Sequence, residues 1–142
     1  MEDARKDPKL AGLAPEMKAR AIAVLTQMQA LAYDVHIAEG VRTLEEQKKK
    51  VEEGYSKTLH SRHLTGHAVD VVDRRWGWNP PSRKFWFHLG AACIKAGLAW
   101  GGFFGLTARP RATLRRALVA CDFDKAASMK LGWDPAHCEV AE

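Results

Sequence analysis

Six histidines and aspartates, side chains able to bind metal or move protons, fall in two short stretches: His63, His67, Asp70 and Asp73 in SRHLTGHAVDVVD, and Asp134 and His137 in WDPAHCEV. Imidazoles and carboxylates in such numbers suit a hydrolytic zinc site. That chemistry needs three protein ligands, one open coordination position and a carboxylate to take a proton from water. His63 and Asp70 are seven positions apart, which on a straight strand means ~23 Å and opposite faces. Shared ligation therefore requires the chain to reverse between them, and Gly66 is the residue that tolerates the positive φ of a reversal. Asp70 stands within the apolar run AVDVV, a costly place for a carboxylate unless it is paired or bound to an ion.

Each residue also has a plainer reading. The first stretch alone can be a polar turn in which a buried Asp70 holds a backbone group. His63 and His67 share the four-residue spacing of a helical HExxH pair, but Leu64 stands in the Glu position and Gly66 interrupts. Asp134 alone suits a turn or cap, and His137 alone a surface position. Taken together, His63, Asp70 and His137 supply three ligands, and Asp134 supplies the base.

The elements that must position them can be read from periodicity. Pro15 opens a first helix whose stripe of Met17, Ala21, Val24, Leu25, Met28 and Leu31 runs to about Ala32. Residues 1–14 read as a loose arm. YDVHIAEGVR reads as a strand with Val35 and Ile37 on one face. Thr43 and Glu46 form a capping box for a second helix that Gly54 stops. YSKTLHSRHLTGH is a polar loop and AVDVV a short strand carrying Val69 and Val71 inward. Ser82 caps a third helix with Phe85, Leu89, Ala92 and Cys93 inward, ended by Gly97. LAW is a further strand, followed by a Gly101-Gly102 turn. Residues 103–133 read as mostly helical, with Leu114, Ala117, Leu118 and Cys121 at helical spacing, and DPAHCEV as a loop entering a strand. The pattern is α+β, a small antiparallel sheet flanked by helices, in one domain spanning 1–142.

Composition narrows the partners. The 142 residues are 46% hydrophobic and 27% charged, the balance of a globular domain. No apolar run approaches the ~20 residues of a membrane span. The N-terminal stretch MEDARKDPKLAGLAPEMKAR has no apolar h-region, so a chain made in the cytoplasm without a secretory leader is expected. Three cysteines without a CxxC pair argue against a disulfide framework or a thiolate zinc knuckle. The net charge of +5, concentrated at Arg109, Arg111, Arg115 and Arg116, favours anionic partners such as envelope polymers. A solvated helix face is the plainer reading of that cluster. No aromatic-basic RNA motif or zinc-finger spacing supports a nucleic-acid partner.

The two stretches resemble a known motif. SRHLTGHAVD fits SxHxxGxAxD and DPAH fits DxxH, the halves of the zinc motif of the hedgehog-like zinc peptidases, which include D-alanyl-D-alanine carboxypeptidases and L-alanyl-D-glutamate endopeptidases of phage endolysin type. EGVRT with Gln47 downstream, and AWGG, support the resemblance, which spans roughly Val35 to Glu139. It implies that His63, Asp70 and His137 hold Zn2+ and that Asp134 deprotonates the water. Arg42 would stabilise the oxyanion, and Ser61 would contact substrate. Without the resemblance, Arg42 reads as a surface ion pair with Glu39 or Glu45. Asp rather than Glu before xxH favours the endopeptidases over the carboxypeptidases. The implied substrate is the peptidoglycan stem peptide, reached by a monomeric enzyme after holin-type release. A catalytically inactive wall-binding module is the alternative from another class. Two departures stand out. Cys138 replaces the usual Phe of HFE, where it should fill a core position, and residues 103–133 separate WGG from DxxH.

Overall fold

Four short strands separated by helices and turns form one antiparallel sheet in the computed structural model, which describes residues 2–56, 58 and 61–141. The strands are β1 (Val35–Glu39), β2 (Ala68–Asp73), β3 (Ala99–Trp100) and β4 (His137–Glu139), in the spatial order β1-β2-β4-β3. β2 and β4 are thus the inner pair, and Asp70 lies directly opposite His137 in their register. All six residues of β2 are buried. The expected α+β class, with a small antiparallel sheet, holds.

Helices α1 (Pro15–Ala30) and α3 (Lys84–Lys95) pack on each other and on the sheet. Met17, Leu25 and Met28 of α1 meet Phe85, Phe87 and Leu89 of α3 in one core with Val35, Ile37 and Trp100. Truncating such a side chain to Ala costs ~2–5 kcal/mol. α2 (Leu44–Glu52) begins with the expected capping box: Glu46 N–H donates to Thr43 Oγ1 at 3.0 Å, and the Glu46 side chain accepts from Thr43 N–H. Gly54 follows its end at φ 80°. Ser82 Oγ accepts from Lys84 N–H at the start of α3, and Gly97 follows its end at φ 74°.

Three expectations are corrected. Residues 2–14, within the expected 1–14 arm, are not loose. Ala4–Lys6 and Pro8–Leu10 are 3-10 turns that bury Ala4, Leu10 and Leu13. Asp7 Oδ2 accepts from Ile37 N–H at 2.7 Å, and Lys9 Nζ donates to Ala38 O at 2.6 Å, so this segment covers the outer edge of β1. Three isolated apolar residues carry no period, which hid the segment in the sequence. Leu31 is exposed rather than part of the α1 stripe, because the helix ends at Ala30 and Ala32 turns with φ 68°. Cys121 likewise lies outside its helix, exposed and at φ 55°, where the chain leaves α4 (Ala108–Val119).

The polar loop expected at 55–67 is described only in part, since 57, 59 and 60 lie outside the described residues. Its end is a 3-10 turn, Arg62–Thr65, in which His63 N–H donates to Ser61 Oγ at 3.2 Å. Gly66 then reverses the chain at φ 73°, as its position suggested. A Cβ there would meet Gly12 O at 2.9 Å and Ala14 N at 3.0 Å.

Between 103 and 133 the regular elements are α4 and the single turn α5 (Phe123–Ala126), with turns and loop between and after them. Leu114 and Leu118 anchor α4 against α3. The excursion closes where it opened. Gly132 N–H donates to Gly102 O at 2.6 Å, and Asp134 N–H faces Gly101 O at 3.3 Å. A Cβ on Gly101 would lie 1.9 Å from Asp134 O, so only glycine permits this contact. WGG and DxxH, far apart in sequence, are therefore neighbours in space.

Candidate metal and catalytic centre

The reversal at Gly66 and the β2–β4 pairing bring His63, Asp70 and His137 together. One potential ligand atom from each lies within 4.8 Å of the others, and all three residues are buried. His63 Nε2 is 3.4 Å from Asp70 Oδ2, and His137 Nδ1 is 3.2 Å from Asp70 Oδ1. The opposite ring nitrogens are held from behind. His63 Nδ1 donates to the Gly40 carbonyl at 2.9 Å, and His137 Nε2 donates to Glu139 Oε1 at 2.9 Å. These outer bonds turn His63 Nε2 and His137 Nδ1 toward Asp70, to which they donate without a metal and beside which they would ligate one. Fixing a ligand histidine's tautomer from its far side is the usual way a protein prepares a metal site. The donor set of two imidazoles and one carboxylate suits zinc with an open position.

Asp134 stands at the rim, its Oδ2 3.7 Å from His137 Nδ1. Burial and the negative charge of Asp70 raise its pKa, against opposition from His137, His63 and Arg42. A carboxylate so raised is the better proton acceptor. Burial opposes ionisation of Asp70 also, but hydrogen bonds from His137 and His63 hold its pKa well below the usual carboxylate range. For His137 burial acts downward, yet hydrogen bonds to Asp70 and Glu139 push its pKa up to about 10.

His67 and Asp73 are not in this group. His67 lies past the 3-10 turn, its Nδ1 2.7 Å from Thr65 Oγ1, so the helical pairing with His63 does not form. Asp73, fully buried, accepts from Asp34 N–H and from Arg75. Cys138 points away from the cluster into the core, where the Cys93 thiol donates to its sulfur at 3.0 Å. It fills the expected core position.

Arg42 does pair with Glu39, as local sequence suggested, but the pair is not at the surface. Arg42 is 8% exposed. Its Nε and Nη2 donate to Glu39 Oε2 at 3.1 and 2.7 Å, and Nη1 donates to Gln47 Oε1 at 2.6 Å. Its backbone N–H donates to His63 O at 3.0 Å, which ties it to the ligand turn. Gln47, fully buried, donates in turn to Ser56 Oγ at 2.8 Å. Ser61 is half-buried and caps the turn that carries His63. Sequence reasoning missed the bond between Glu139 and His137. The signal was available, since residues two apart on a strand share a face. The Gly40 carbonyl, a backbone group, left no such trace.

Comparison with known proteins places this geometry. Residues 3–85 match the family model described as phage L-alanyl-D-glutamate peptidase. A curated relative, the L-alanyl-D-glutamate peptidase of Listeria phage A118, is 34% identical over 95 residues, 63% of this chain. The chain spans about a third of that relative's length, 33%. Among solved structures, the L-Ala D-Glu endopeptidase ChiX of Serratia marcescens superposes with a TM-score of 0.66 at 25% identity, covering 99% of this chain and 89% of its own. The LD-carboxypeptidase LdcB shares the fold, with a TM-score of 0.57 at 19% identity over 95% of this chain and 67% of its own. The family match covers more than half of the 142 residues and contains His63 and Asp70, so this chain belongs to the phage L-alanyl-D-glutamate peptidase family.

Proposed function

We propose that the chain is a zinc-dependent peptidoglycan peptidase of endolysin type that hydrolyses the L-alanyl–D-glutamyl bond of the wall stem peptide. The observation that carries this reading is the convergence of His63 Nε2, Asp70 and His137 Nδ1, each histidine fixed from behind by Gly40 O or Glu139. One zinc ion held by these three groups would polarise the scissile carbonyl and acidify a water molecule. Asp134 takes the proton from the attacking water and hands it to the leaving amine. Its pKa, raised by burial and by Asp70, suits both halves of that transfer. Arg42, whose guanidinium offers a fork of N–H donors and which is tied to the His63 turn, stabilises the developing oxyanion. Ser61 sets the ligand turn and contacts substrate beside it.

The full chain forms one catalytic domain, with residues 103–133 as a closed excursion between the WGG turn and the Asp134 loop. No described helix is long and apolar enough to cross a membrane. Synthesis in the cytoplasm followed by holin-type release would bring the enzyme to the wall. The test is mass spectrometry of muropeptides from purified sacculi digested by zinc-loaded protein. New N-terminal D-glutamyl peptides are expected. Release of free D-alanine with the L-alanyl–D-glutamyl bond intact would make it a carboxypeptidase. An unchanged digest at full zinc occupancy would make it a binding module.

A further inference from the structure

Beside the cluster, on the side of the 103–133 excursion, lies a groove of about 490 Å³. Trp100, Phe104, Leu106 and Trp133 supply its apolar wall, and Arg111 and Arg115 face it from α4. Its inner wall adjoins the centre. The Phe104 ring is 5.6 Å from the His137 ring and 5.6 Å from the Trp133 ring, so the rings continue from the ligand histidine to the groove. Trp133, 65% exposed, immediately precedes Asp134 and lies across Gly105, where a Cβ would meet its ring at 2.9 Å.

The charges in this groove are unbalanced. No carboxylate lines it, and among the described residues neither the Arg111 nor the Arg115 guanidinium has an ion-pair or hydrogen-bond partner. Arg5, Arg20, Arg42, Arg74 and Arg75, by contrast, all sit on carboxylates. Arg111 and Arg115 are one helical turn apart and lie on one face of α4, a spacing that lets both reach one ligand. Arg109 and Arg116, in the same basic cluster, do not line the groove.

We propose that this groove binds the acidic side of the scissile bond, with Arg111 and Arg115 on the glutamyl carboxylate and Trp133 and Phe104 against the aliphatic part of the peptide. The inference rests on the proposed peptidase function, which places a glutamyl residue immediately after the bond that is cut. A glutamate joined onward through one carboxyl keeps the other as a carboxylate. Guanidinium forks bind carboxylates by two parallel N–H donors, and a partly apolar wall strengthens that bond by excluding water. A neutral sugar face could stack on Trp133, but it would leave both cations without a counter-charge. The carboxylate peptide uses every feature of the groove.

The test compares two pairs of substitutions that change net charge equally. Arg111→Gln with Arg115→Gln should raise KM for a soluble stem peptide about tenfold or more, the scale for losing a charge-assisted hydrogen bond. The kcat should stay within about twofold. Arg109→Gln with Arg116→Gln should leave KM within about twofold at physiological salt, where exposed charges are screened beyond ~8 Å. The same peptide with its glutamyl carboxylate amidated should lose as much on the wild-type enzyme, and nothing further on the Arg111/Arg115 variant. Equal losses in both pairs would reduce the effect to long-range attraction and overturn the subsite. No loss in either pair would overturn it as well. If the wild-type chain leaves the bond uncut, calorimetric titration with the acidic and the amidated peptide decides separately. Tighter binding of the acidic form, abolished only in the Arg111/Arg115 variant, would uphold the groove while the proposed cleavage fails. No binding of either peptide would overturn it.

Discussion

The inner strands and the 103–133 excursion hold their functional side chains in opposite ways. On β2, β4 and the Arg62–Thr65 turn, every ring and carboxylate of the cluster is buried and bonded, down to the far nitrogens of both histidines. On α4 the groove-facing arginines are exposed and carry no partner among the described residues. Buried polar groups must be satisfied inside the protein, because leaving one unpaired costs ~1–3 kcal/mol or more. The fold therefore fixes the chemistry in advance, where misplacement of a reacting group is most damaging. Exposed arginines lose little by waiting for a ligand, so recognition can be left to the substrate. Rigid chemistry beside adaptable recognition is the expected division when catalysis sits on a scaffold and specificity on a connection.

Breaking the rigid half should have the largest effect. His63→Ala, Asp70→Ala and His137→Ala are each expected to abolish high-affinity zinc binding and activity together, read by metal content after dialysis and by muropeptide release. A full zinc complement in all three variants would remove the cluster from consideration. Asp134→Asn comes next. It keeps the turn and the side-chain volume but removes the proton acceptor, so activity should fall ~10²–10⁴-fold with zinc retained. Arg42→Ala should cost ~10²–10³ in turnover, also with zinc retained. Loss of zinc from Asp134→Asn would make Asp134 a ligand. Normal turnover in Arg42→Ala would confine that residue to its bonds with Glu39 and Gln47.

This division also explains what the sequence could reveal. The grouping of His63, Asp70 and His137, with Asp134 at its rim, was legible because metal and proton chemistry restricts residue type, and the chain reversal it requires showed in Gly66. The α1 stripe and the Thr43–Glu46 cap were legible because they are local. The closure of the excursion was not, because it depends on backbone bonds from Gly101 and Gly102 to residues about thirty positions later. The buried N-terminal turns were missed for a similar reason: Asp7 is anchored by Ile37, far along the chain. Which arginines of the cluster share a groove was equally invisible, since helical spacing does not say what lies opposite.

A smaller change sharpens the comparison within the rigid half itself. Glu139 touches no proposed substrate atom; it acts through His137 Nε2. Glu139→Ala should weaken zinc binding ~10–100-fold, the range for losing an outer partner of a ligand histidine. Glu139→Gln, which can still accept from Nε2, should recover most of that loss. If Glu139→Ala binds zinc as the wild type does, but turnover collapses, Glu139 is the base and Asp134 is not.

The smallest expected effect is on pH dependence, and it should have opposite signs with and without metal. In the metal-free protein His137 has a pKa of about 10, raised by its bonds to Asp70 and Glu139 against the effect of burial. A raised pKa means that the folded state holds the proton more tightly than the unfolded chain, whose histidine titrates near ~6.5. That contribution is complete below ~6.5 and fades as pH rises toward 10. Asp70 works the other way: its depressed pKa stabilises the fold above ~4, and the contribution is lost as pH falls further. Metal-free protein should therefore have its highest Tm between about pH 4 and 6.5, declining by several degrees through pH 8 and 9. Zinc must displace the His137 proton, so its apparent affinity should rise about tenfold per pH unit between 6 and 8. The stabilisation by zinc should grow over the range where the metal-free protein weakens. Thermal melts across pH 4–9, with chelator and with saturating zinc, would show two curves that diverge as pH rises. Parallel curves would mean that His137 gives up no proton on binding metal, and that its Nδ1 is not a ligand.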